Sequence, residues 1–214
     1  PELRWTGKRP YRSTQYYPAQ LRESYGDAQD GWINKIFWGD NLQVMSHLLK
    51  EFRGKIDLIY IDPPFDSKAD YKKKIDVRGA KASSDATSFE EKQYTDIWTN
   101  DEYLQFIYER LLICRELLAD TGSIYVHMDE KRAHYVRQIM DEVFGQNNFR
   151  REIIWDITVL SGFKSQAQNW IRGHDVILYY AKNIGQVKYN KLFQKQSKKY
   201  LKRFNKVDEN GRRY

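Results

Sequence analysis

Four residues, Asp62-Pro63-Pro64-Phe65, place a carboxylate, a rigid backbone and an aromatic ring directly after an apolar run at 56–61. An ionised Asp62 only accepts hydrogen bonds, and two consecutive prolines fix φ and offer no N–H, so the Pro63 carbonyl is a second, rigidly held acceptor. Two acceptors can take both N–H groups of an aromatic amine and free its lone pair. The Phe65 ring offers a face on which a base can stack, worth about 1–3 kcal/mol. The motif therefore predicts activation of an aromatic amine, although Asp-Pro-Pro alone could also just end a strand in a turn.

The residues around this motif predict the elements that would position it. The nearly continuous apolar run at 56–61 suits a central parallel strand covered on both faces. Ligands collect beyond the carboxyl ends of strands in open α/β sheets, and the motif follows such an end. Hydrophobic spacing predicts further strands at 33–38, 123–128, 152–157 and 175–181. It also predicts three helices: one at 42–52, one that begins at a capping box formed by Thr99 and Glu102, and one at 131–144. This alternation of strands and helices is typical of a doubly wound α/β sheet.

Composition divides the chain into three parts. We predict an irregular N-terminal arm at 1–31, an α/β core at 32–185 and a basic region at 186–214, with a loop in the polar stretch at 66–96. The net charge is +7, and residues 186–214 alone carry ten basic and two acidic groups, so the remaining residues sum to −1. Positive charge gathered at one end favours a segment that faces nucleic acid, although a solvated tail gives the same pattern.

The composition also disfavours several classes of protein. No stretch approaches the ~18 consecutive apolar residues of a membrane span. The single Cys114 excludes an internal disulfide and, within a helical apolar pattern, is expected to be buried and inert. The four histidines show no metal-ligand spacing, so no metal site is predicted, and His127 is interpreted as part of a surface turn. These features suit a cytoplasmic protein without membrane association.

The motifs resemble, in order, those of one enzyme family. Asp62-Pro63-Pro64-Phe65 is similar to the Asp-Pro-Pro-Tyr/Phe catalytic motif of DNA amino-methyltransferases. Gly39-Asp40-Asn41-Leu42 resembles the element that precedes this motif in site-specific adenine methyltransferases. The resemblance continues through residues 102–104, 122–127, 153–155 and 174–182. The group that looks most similar comprises the modification subunits of type III restriction systems and their solitary relatives.

The resemblance implies a Rossmann-like methyltransferase sheet and S-adenosyl-L-methionine as the methyl donor. It implies that residues 62–65 activate the exocyclic N6 amine of an adenine flipped out of double-stranded DNA. Asp40 and Asn41 would bind the cofactor, although Asp40 also suits a helix N-cap. Trp155 would border the flipped base, although an aromatic residue at a strand end is commonly part of a core. Basic residues expected to bind DNA are Lys72, Lys73, Lys74, Lys198, Lys199, Lys202 and Arg203.

One element of the family pattern is missing. The family's cofactor-binding strand ends in Phe-x-Gly-x-Gly, and no two glycines of this sequence are separated by one residue. In the permuted motif order, that strand follows the target-recognition region. We therefore expect an incomplete core that binds the cofactor poorly alone and needs the missing C-terminal part of its own chain. A restriction subunit or a second copy is a further candidate partner.

Two details of the pattern leave alternatives open. Phe65 stands where the family commonly has Tyr, which keeps the stacking face and removes a hydroxyl. Enzymes that methylate the cytosine N4 amine usually carry Ser in place of Asp62, so adenine is favoured over cytosine. A non-catalytic DNA-binding module built on a methyltransferase core is the third reading, and the intact Asp62-Pro63-Pro64-Phe65 speaks against it.

Overall fold

A computed structural model of the chain describes residues 2–12, 18–64, 70–74, 90–95, 99–157, 168, 170–193, 195, 197–201, 203 and 206–212. The helices in these ranges are α1 (Asn41–Phe52), α2 (Asn100–Leu117), α3 (Ala133–Met140) and the short α4 (Lys198–Leu201). The strands are β1 (Ile56–Ile61), β2 (Asp70–Lys74), β3 (Glu90–Thr95), β4 (Leu118–Met128), β5 (Phe149–Asp156) and β6 (His174–Ala181). A π-helical turn (Asp141–Gly145) and a 3₁₀ turn (Gln146–Asn148) connect α3 to β5.

The main sheet has four strands in the order β1-β4-β6-β5. β1 and β4 run parallel, whereas β6 is antiparallel to both β4 and β5. The carboxyl ends of β1, β4 and β5 therefore lie at the same end of the sheet as the start of β6. This end, called the site end below, gathers Asp62, His127, Trp155 and Asp175. The α/β class predicted from the sequence is confirmed.

The hydrophobic core lies between one face of this sheet and α1, α2 and α3. Alternate residues of β4 and β6 point into it, as do the apolar faces of α2 and α3. Its fully buried members include Tyr103, Ile107, Leu111, Ile124, Val126, Met128, Ile139, Leu178 and Tyr180. Cys114 is buried in the same cluster, and burial raises the pKa of its thiol to about 12. The expectation that Cys114 is buried is confirmed, and its raised pKa disfavours the reactive thiolate.

β1 differs from the buried central strand that the sequence predicts. It lies at one edge of the four-stranded sheet, where Ile59 and Ile61 pack against the core. Leu58 and Tyr60 point to the opposite face and are exposed. The described helices that pack on this sheet contribute to the core on the other face. In the described part of the chain, the face of Leu58 and Tyr60 therefore carries no helical layer.

The prediction of a strand at 33–38 is wrong. The structure assigns no strand to these residues, and Ile36 is 99% exposed. A strand needs a neighbour to satisfy its backbone N–H and C=O groups, and no ladder of the described residues pairs with this segment. An apolar run indicates the propensity for a strand but does not provide its partner.

The starts predicted for α1 and α2 are confirmed, whereas α3 begins at Ala133 rather than at residue 131, and other boundaries shift. Asp40 caps α1, and Thr99 and Glu102 form the predicted capping box at the start of α2. β4 begins at Leu118 rather than at residue 123, because Leu118 already pairs with Ile56 of β1 before a register shift. α3 is shorter than predicted, since its last turn passes into the π-helical turn.

The polar stretch that was predicted as a loop contains a second, two-stranded sheet. β2 and β3 pair in an antiparallel ladder that places Lys73 opposite Glu91 and Lys74 opposite Glu90. Both strands are mostly polar and lack an alternation of apolar residues, which is why apolar periodicity does not predict this pair.

The N-terminal arm has no helix or ladder strand in its described parts, 2–12 and 18–31. Its first residues pack on the helical side of the molecule. Lys8 Nζ lies 2.7 Å from Glu142 Oε1 in the π-helical turn, and the amide of Gln105 on α2 donates to the carbonyl of Arg9. None of the helices in the described part of the chain is long and apolar enough to cross a membrane.

Candidate active site at the end of β1

Asp62 directly follows β1 at the site end of the sheet. Its side chain is 59% exposed, and the next two residues, Pro63 and Pro64, are half-buried. The two prolines contribute no backbone N–H to this corner. A carboxylate buried in an ion pair could not bind a substrate amine, and Asp62 is instead open to solvent. The first part of the predicted motif therefore has an accessible acceptor.

His127 lies beside Asp62. The parallel register pairs Ile61 with Val126, so that the next residues of the two chains, Asp62 and His127, are neighbours. His127 Nδ1 is 3.9 Å from Asp62 Oδ1, and Tyr60 Oη is 2.9 Å from the same nitrogen. The His127 side chain is only 17% exposed. It lies on β4 within the sheet, and the surface turn predicted from the sequence is wrong.

The second ring nitrogen of His127 faces Asp175 at the start of β6. His127 Nε2 is 3.4 Å from Asp175 Oδ2. Asp175 is buried, and its other oxygen is contacted by the guanidinium of Arg172, which also lies 3.4 Å from Glu130. Polar contacts therefore run from the exposed Asp62 through His127 to a buried and charge-compensated carboxylate.

Sequence reasoning did not assign a role to His127 or Asp175 in this site. The two residues are 48 positions apart in the chain and meet because β6 is antiparallel to β4. The signal that was available is the parallel pairing of β1 with the next predicted strand, which brings the residue after Ile61 beside the residue after Val126. The antiparallel insertion of β6 into the sheet has no comparable sequence signal.

A row of tyrosines crosses the sheet face that carries this site. Tyr60, Tyr125 and Tyr179 are in register on β1, β4 and β6, and the rings of Tyr125 and Tyr179 stack with centroids 4.4 Å apart. Burial raises the pKa of Tyr60, and the charge of Asp62 raises it further. Burial and the neighbouring Tyr179 raise the pKa of Tyr125 to about 12. Tyr60 and Tyr125 therefore stay protonated at neutral pH and can donate hydrogen bonds.

Asp40 and Asn41, predicted to bind a cofactor, stand at the start of α1. Asp40 Oδ1 accepts hydrogen bonds from the N–H groups of Leu42 and Gln43. Arg110 of α2 donates to Asp40 Oδ2 at 3.0 Å and to Asn41 Oδ1 at 2.5 Å. Burial lowers the pKa of Arg110, while the charge of Asp40 opposes that lowering. The helix-cap role of Asp40 is thus observed, and its half-exposed carboxylate keeps acceptor capacity for a ligand.

Trp155 is the predicted DNA-binding residue that the sheet brings to the site end. It lies near the end of β5, pairs in register with Asp175 and is half-exposed. Its strand is three places from β1, which corresponds to roughly 14 Å at the usual spacing of strands. Trp155 and Asp62 therefore stand at opposite margins of the same sheet end.

The remaining predicted site residues lie outside the four-stranded sheet or are not described. Phe65 and Lys202 fall outside the described residues. Lys72, Lys73 and Lys74 lie on β2, and Lys198 and Lys199 lie on α4. Arg203 follows α4, with its guanidinium 5.9 Å from the centre of the Tyr200 ring. In the described part of the chain, no group of three or more His, Cys, Asp or Glu side chains is arranged to hold a metal ion.

Sequence comparison finds relatives among DNA-modifying enzymes. The chain is 30% identical over 131 residues to the StyLTI Mod subunit of a type III restriction-modification enzyme from Salmonella typhimurium, covering 57% of this chain and 20% of that protein. It is 31% identical over 162 residues to the EcoPI Mod subunit from Escherichia phage P1, covering 70% and 24%. It is 30% identical over 179 residues to the type II methyltransferase M.EcaI of Enterobacter cloacae, covering 83% and 36%. The chain spans well under half the length of these relatives.

Two solved structures and one protein-family model also match the chain. The M1.HpyAVI–SAM complex aligns with a TM-score of 0.44 and 13% identity, covering 75% of this chain and 60% of that one. The cytosine-N4-specific PvuII DNA methyltransferase aligns with a TM-score of 0.43 and 17% identity, covering 69% and 48%. The family model for DNA methylases matches residues 56–214, from β1 through the candidate site to the basic region. By this match over most of its length, the chain belongs to the DNA methylase family.

Proposed function

We propose that the full-length protein transfers a methyl group from S-adenosylmethionine to the N6 amine of adenine in DNA. The observation that carries the proposal is the exposed Asp62 carboxylate, followed by Pro63 and Pro64 at the end of a parallel strand, in a chain of the DNA methylase family. The relatives that share 30–31% identity with it are named as Mod subunits and as a type II methyltransferase.

Asp62 and the Pro63 carbonyl act on the amine together. The adenine nitrogen is a poor nucleophile because its lone pair is delocalised into the ring. When the two acceptors take its two N–H groups, the nitrogen becomes more tetrahedral and the lone pair becomes available to form a bond. Hydrogen bonds to an ionised carboxylate are roughly twice as strong as neutral ones. The amine proton becomes acidic only as the methyl group arrives, so this step requires no strong base beforehand.

The target base must leave the DNA stack to reach Asp62. Extrusion of a base from a duplex costs a few kcal/mol. Phe65 is proposed to offset part of that cost by stacking, and Trp155 stands as a second aromatic residue at the same sheet end. Such a site can supply most of its rate enhancement by holding the base in one orientation and by excluding water.

Asp40 and Asn41 are proposed to hold the cofactor. S-adenosylmethionine, when bound, supplies the methyl group as an electrophilic sulfonium. The half-exposed Asp40 carboxylate fits this role, because after capping α1 and pairing with Arg110 it can still accept a hydrogen bond from an adenine amine. Arg110 fixes the position of both Asp40 and Asn41.

Double-stranded DNA is the proposed macromolecular substrate, and basic residues are proposed to hold its phosphates. These residues are the lysines on β2 and the basic groups on and after α4. They are proposed to contact phosphates and not the edges of the bases. Contacts of this kind give affinity that depends on salt and is blind to sequence. The basic region at 186–214 is proposed to begin the target-recognition part of the protein.

The sheet face that carries Leu58 and Tyr60 is proposed to be covered by the C-terminal part of the full-length chain. An exposed apolar edge strand is a surface that proteins normally cover. The Phe-x-Gly-x-Gly strand, absent from these residues, is proposed to lie in that part. Association with a restriction subunit is proposed from the names of the relatives as Mod subunits, and a second copy remains the other proposed partner.

The base that is methylated tests the proposed function. The full-length protein is incubated with unmethylated DNA and S-adenosylmethionine, and the nucleosides are then identified by mass spectrometry. N6-methyladenine is the expected product. N4-methylcytosine would replace the adenine assignment by the cytosine alternative, and DNA binding without any methylated base would favour a non-catalytic module.

A further inference from the structure

We propose that His127 positions the Asp62 carboxylate and is itself held in place by Asp175 and Tyr60. The inference rests on the proposed function, since it concerns the residue that orients the amine-binding group. The two side chains differ in exposure: Asp62 is 59% exposed, whereas the His127 side chain is 17% exposed. The His127 ring lies 3.9 Å from Asp62 and has a polar neighbour at each nitrogen. An exposed carboxylate therefore adjoins a largely buried imidazole.

The imidazole is fixed from two directions within the sheet. β4 lies between β1 and β6, so the backbone of His127 has a hydrogen-bonded strand on each side. Tyr60 from β1 reaches Nδ1 at 2.9 Å, and Asp175 from β6 reaches Nε2 at 3.4 Å. The ring plane is therefore set by residues on three strands.

Asp175 selects which nitrogen of His127 carries the proton in the neutral ring. The negative charge of the Asp175 carboxylate, whose Oδ2 lies 3.4 Å from Nε2, favours a proton on that nitrogen. Nδ1 is then an acceptor, and the protonated Tyr60 hydroxyl can donate to it. In this arrangement neither His127 nor Tyr60 directs a donor at Asp62. Both oxygens of Asp62 thus stay available to the substrate.

The buried end of this array is charge-compensated. Arg172 contacts Asp175 and also lies 3.4 Å from Glu130. Asp175 therefore has a cationic partner other than His127. His127 and Tyr60 act on Asp62 through packing: together they restrict the rotation of its carboxylate. A misplacement of about 1 Å at a reacting group can cost on the order of 100-fold in rate.

Three substitutions in the full-length protein test the inference. His127→Leu removes both ring nitrogens, and Asp175→Asn introduces a donor that favours the other tautomer while keeping the shape. His127→Asn returns a polar atom to the position of Nδ1. We expect single-turnover methyl transfer to fall by roughly 10- to 100-fold in His127→Leu and Asp175→Asn, and to recover in part in His127→Asn. DNA and cofactor dissociation constants should stay within about threefold of wild type, because the array does not bind either ligand directly.

Tyr60→Phe and His134→Leu complete the experiment. Tyr60→Phe removes one hydroxyl from an exposed side chain, so it tests the array even if His127→Leu does not fold. We expect a smaller loss of rate in this variant. His134 is exposed on α3, and its replacement by Leu is the matched control with wild-type rate.

Two results would be decisive against the inference. Methyl-transfer rates of Asp175→Asn and Tyr60→Phe within about threefold of wild type would overturn it, and so would a loss in His127→Leu that is explained entirely by weaker DNA binding. A wild-type full-length protein that methylates no DNA would instead contradict the proposed function, which separates the two failures.

Discussion

At the scale of single residues, two carboxylates with similar chemistry have different surroundings. Asp40 caps a helix and pairs with Arg110, so most of its acceptor capacity is already used. Asp62 follows two apolar strand residues and has His127 as a neighbour at 3.9 Å. Asp40 is thereby suited to hold a ligand in a fixed place, whereas Asp62 is suited to engage a substrate that arrives and leaves.

The two functions of Asp40 can be separated by a matched pair of substitutions. Asp40→Ala removes the cap of α1 and should lower the free energy of unfolding by about 1–2 kcal/mol. Asp40→Asn keeps a good capping oxygen and loses only the charge that faces Arg110, so a smaller loss is expected. Urea denaturation measures both. Equal losses in the two variants would mean that the ion pair, rather than the cap, dominates.

At the scale of elements, the sequence predicts local structure better than it predicts neighbours. The helix start at Thr99, the cap at Asp40 and the strand after Gly54 all follow from local chemistry, and the structure contains them. The edge position of β1 depends instead on which strands pair. Sheet order is set by contacts between distant residues, and apolar spacing does not carry that information.

The candidate site divides in the same way. Asp62 is found from the sequence because its neighbours in the chain, Pro63 and Pro64, are part of its chemistry. His127 and Asp175 belong to the site through strand register alone. His127 could be placed beside Asp62 from the parallel pairing of β1 with β4, whereas Asp175 could be identified only after β6 was known to lie beside β4.

Gly122 tests the pairing of β4 with β1. An added Cβ at this residue would lie 2.8 Å from the carbonyl oxygen of Ile56 and 2.9 Å from that of Ala119, and these backbone atoms cannot rotate away. Gly122→Ala should therefore destabilise the fold by about 1–3 kcal/mol.

Gly185 provides the matched control for this substitution. A Cβ there would meet only the Asn183 side chain, at 3.4 Å, so Gly185→Ala should leave the thermal midpoint close to wild type. Thermal denaturation of both variants measures the difference. A Gly122→Ala protein as stable as the Gly185→Ala protein would show that the start of β4 can separate from β1 without cost.

At the scale of the whole molecule, the candidate site and the basic region lie in different parts of the chain. The sheet face with Leu58, Tyr60 and Trp155 is exposed, whereas the basic groups gather at 186–214. The proposed function uses the two surfaces differently: the sheet end acts on the base, and the basic region holds the backbone of the DNA. Binding and chemistry should therefore respond to different substitutions.

The salt dependence of DNA binding tests the role of the basic region. Replacement of Lys198, Lys199, Lys202 and Arg203 by Gln should reduce the slope of log affinity against log salt by about 0.9 for each phosphate that is no longer neutralised. Fluorescence anisotropy of labelled DNA at several salt concentrations measures the slope. Arg53→Gln, an exposed substitution at the end of α1, is the control. An unchanged slope in the quadruple variant would mean that these four side chains do not contact phosphates and only keep the basic region hydrated.

The central claim is that Asp62 is needed for the chemical step and is not needed for DNA binding. It is tested most directly by single-turnover transfer of a radiolabelled methyl group in the full-length protein. Asp62→Ala should lower this rate by on the order of 10³-fold or more, with DNA affinity largely unchanged, and Asp57→Ala on the same strand should behave as wild type. Methyl transfer by Asp62→Ala at the wild-type rate would contradict the account.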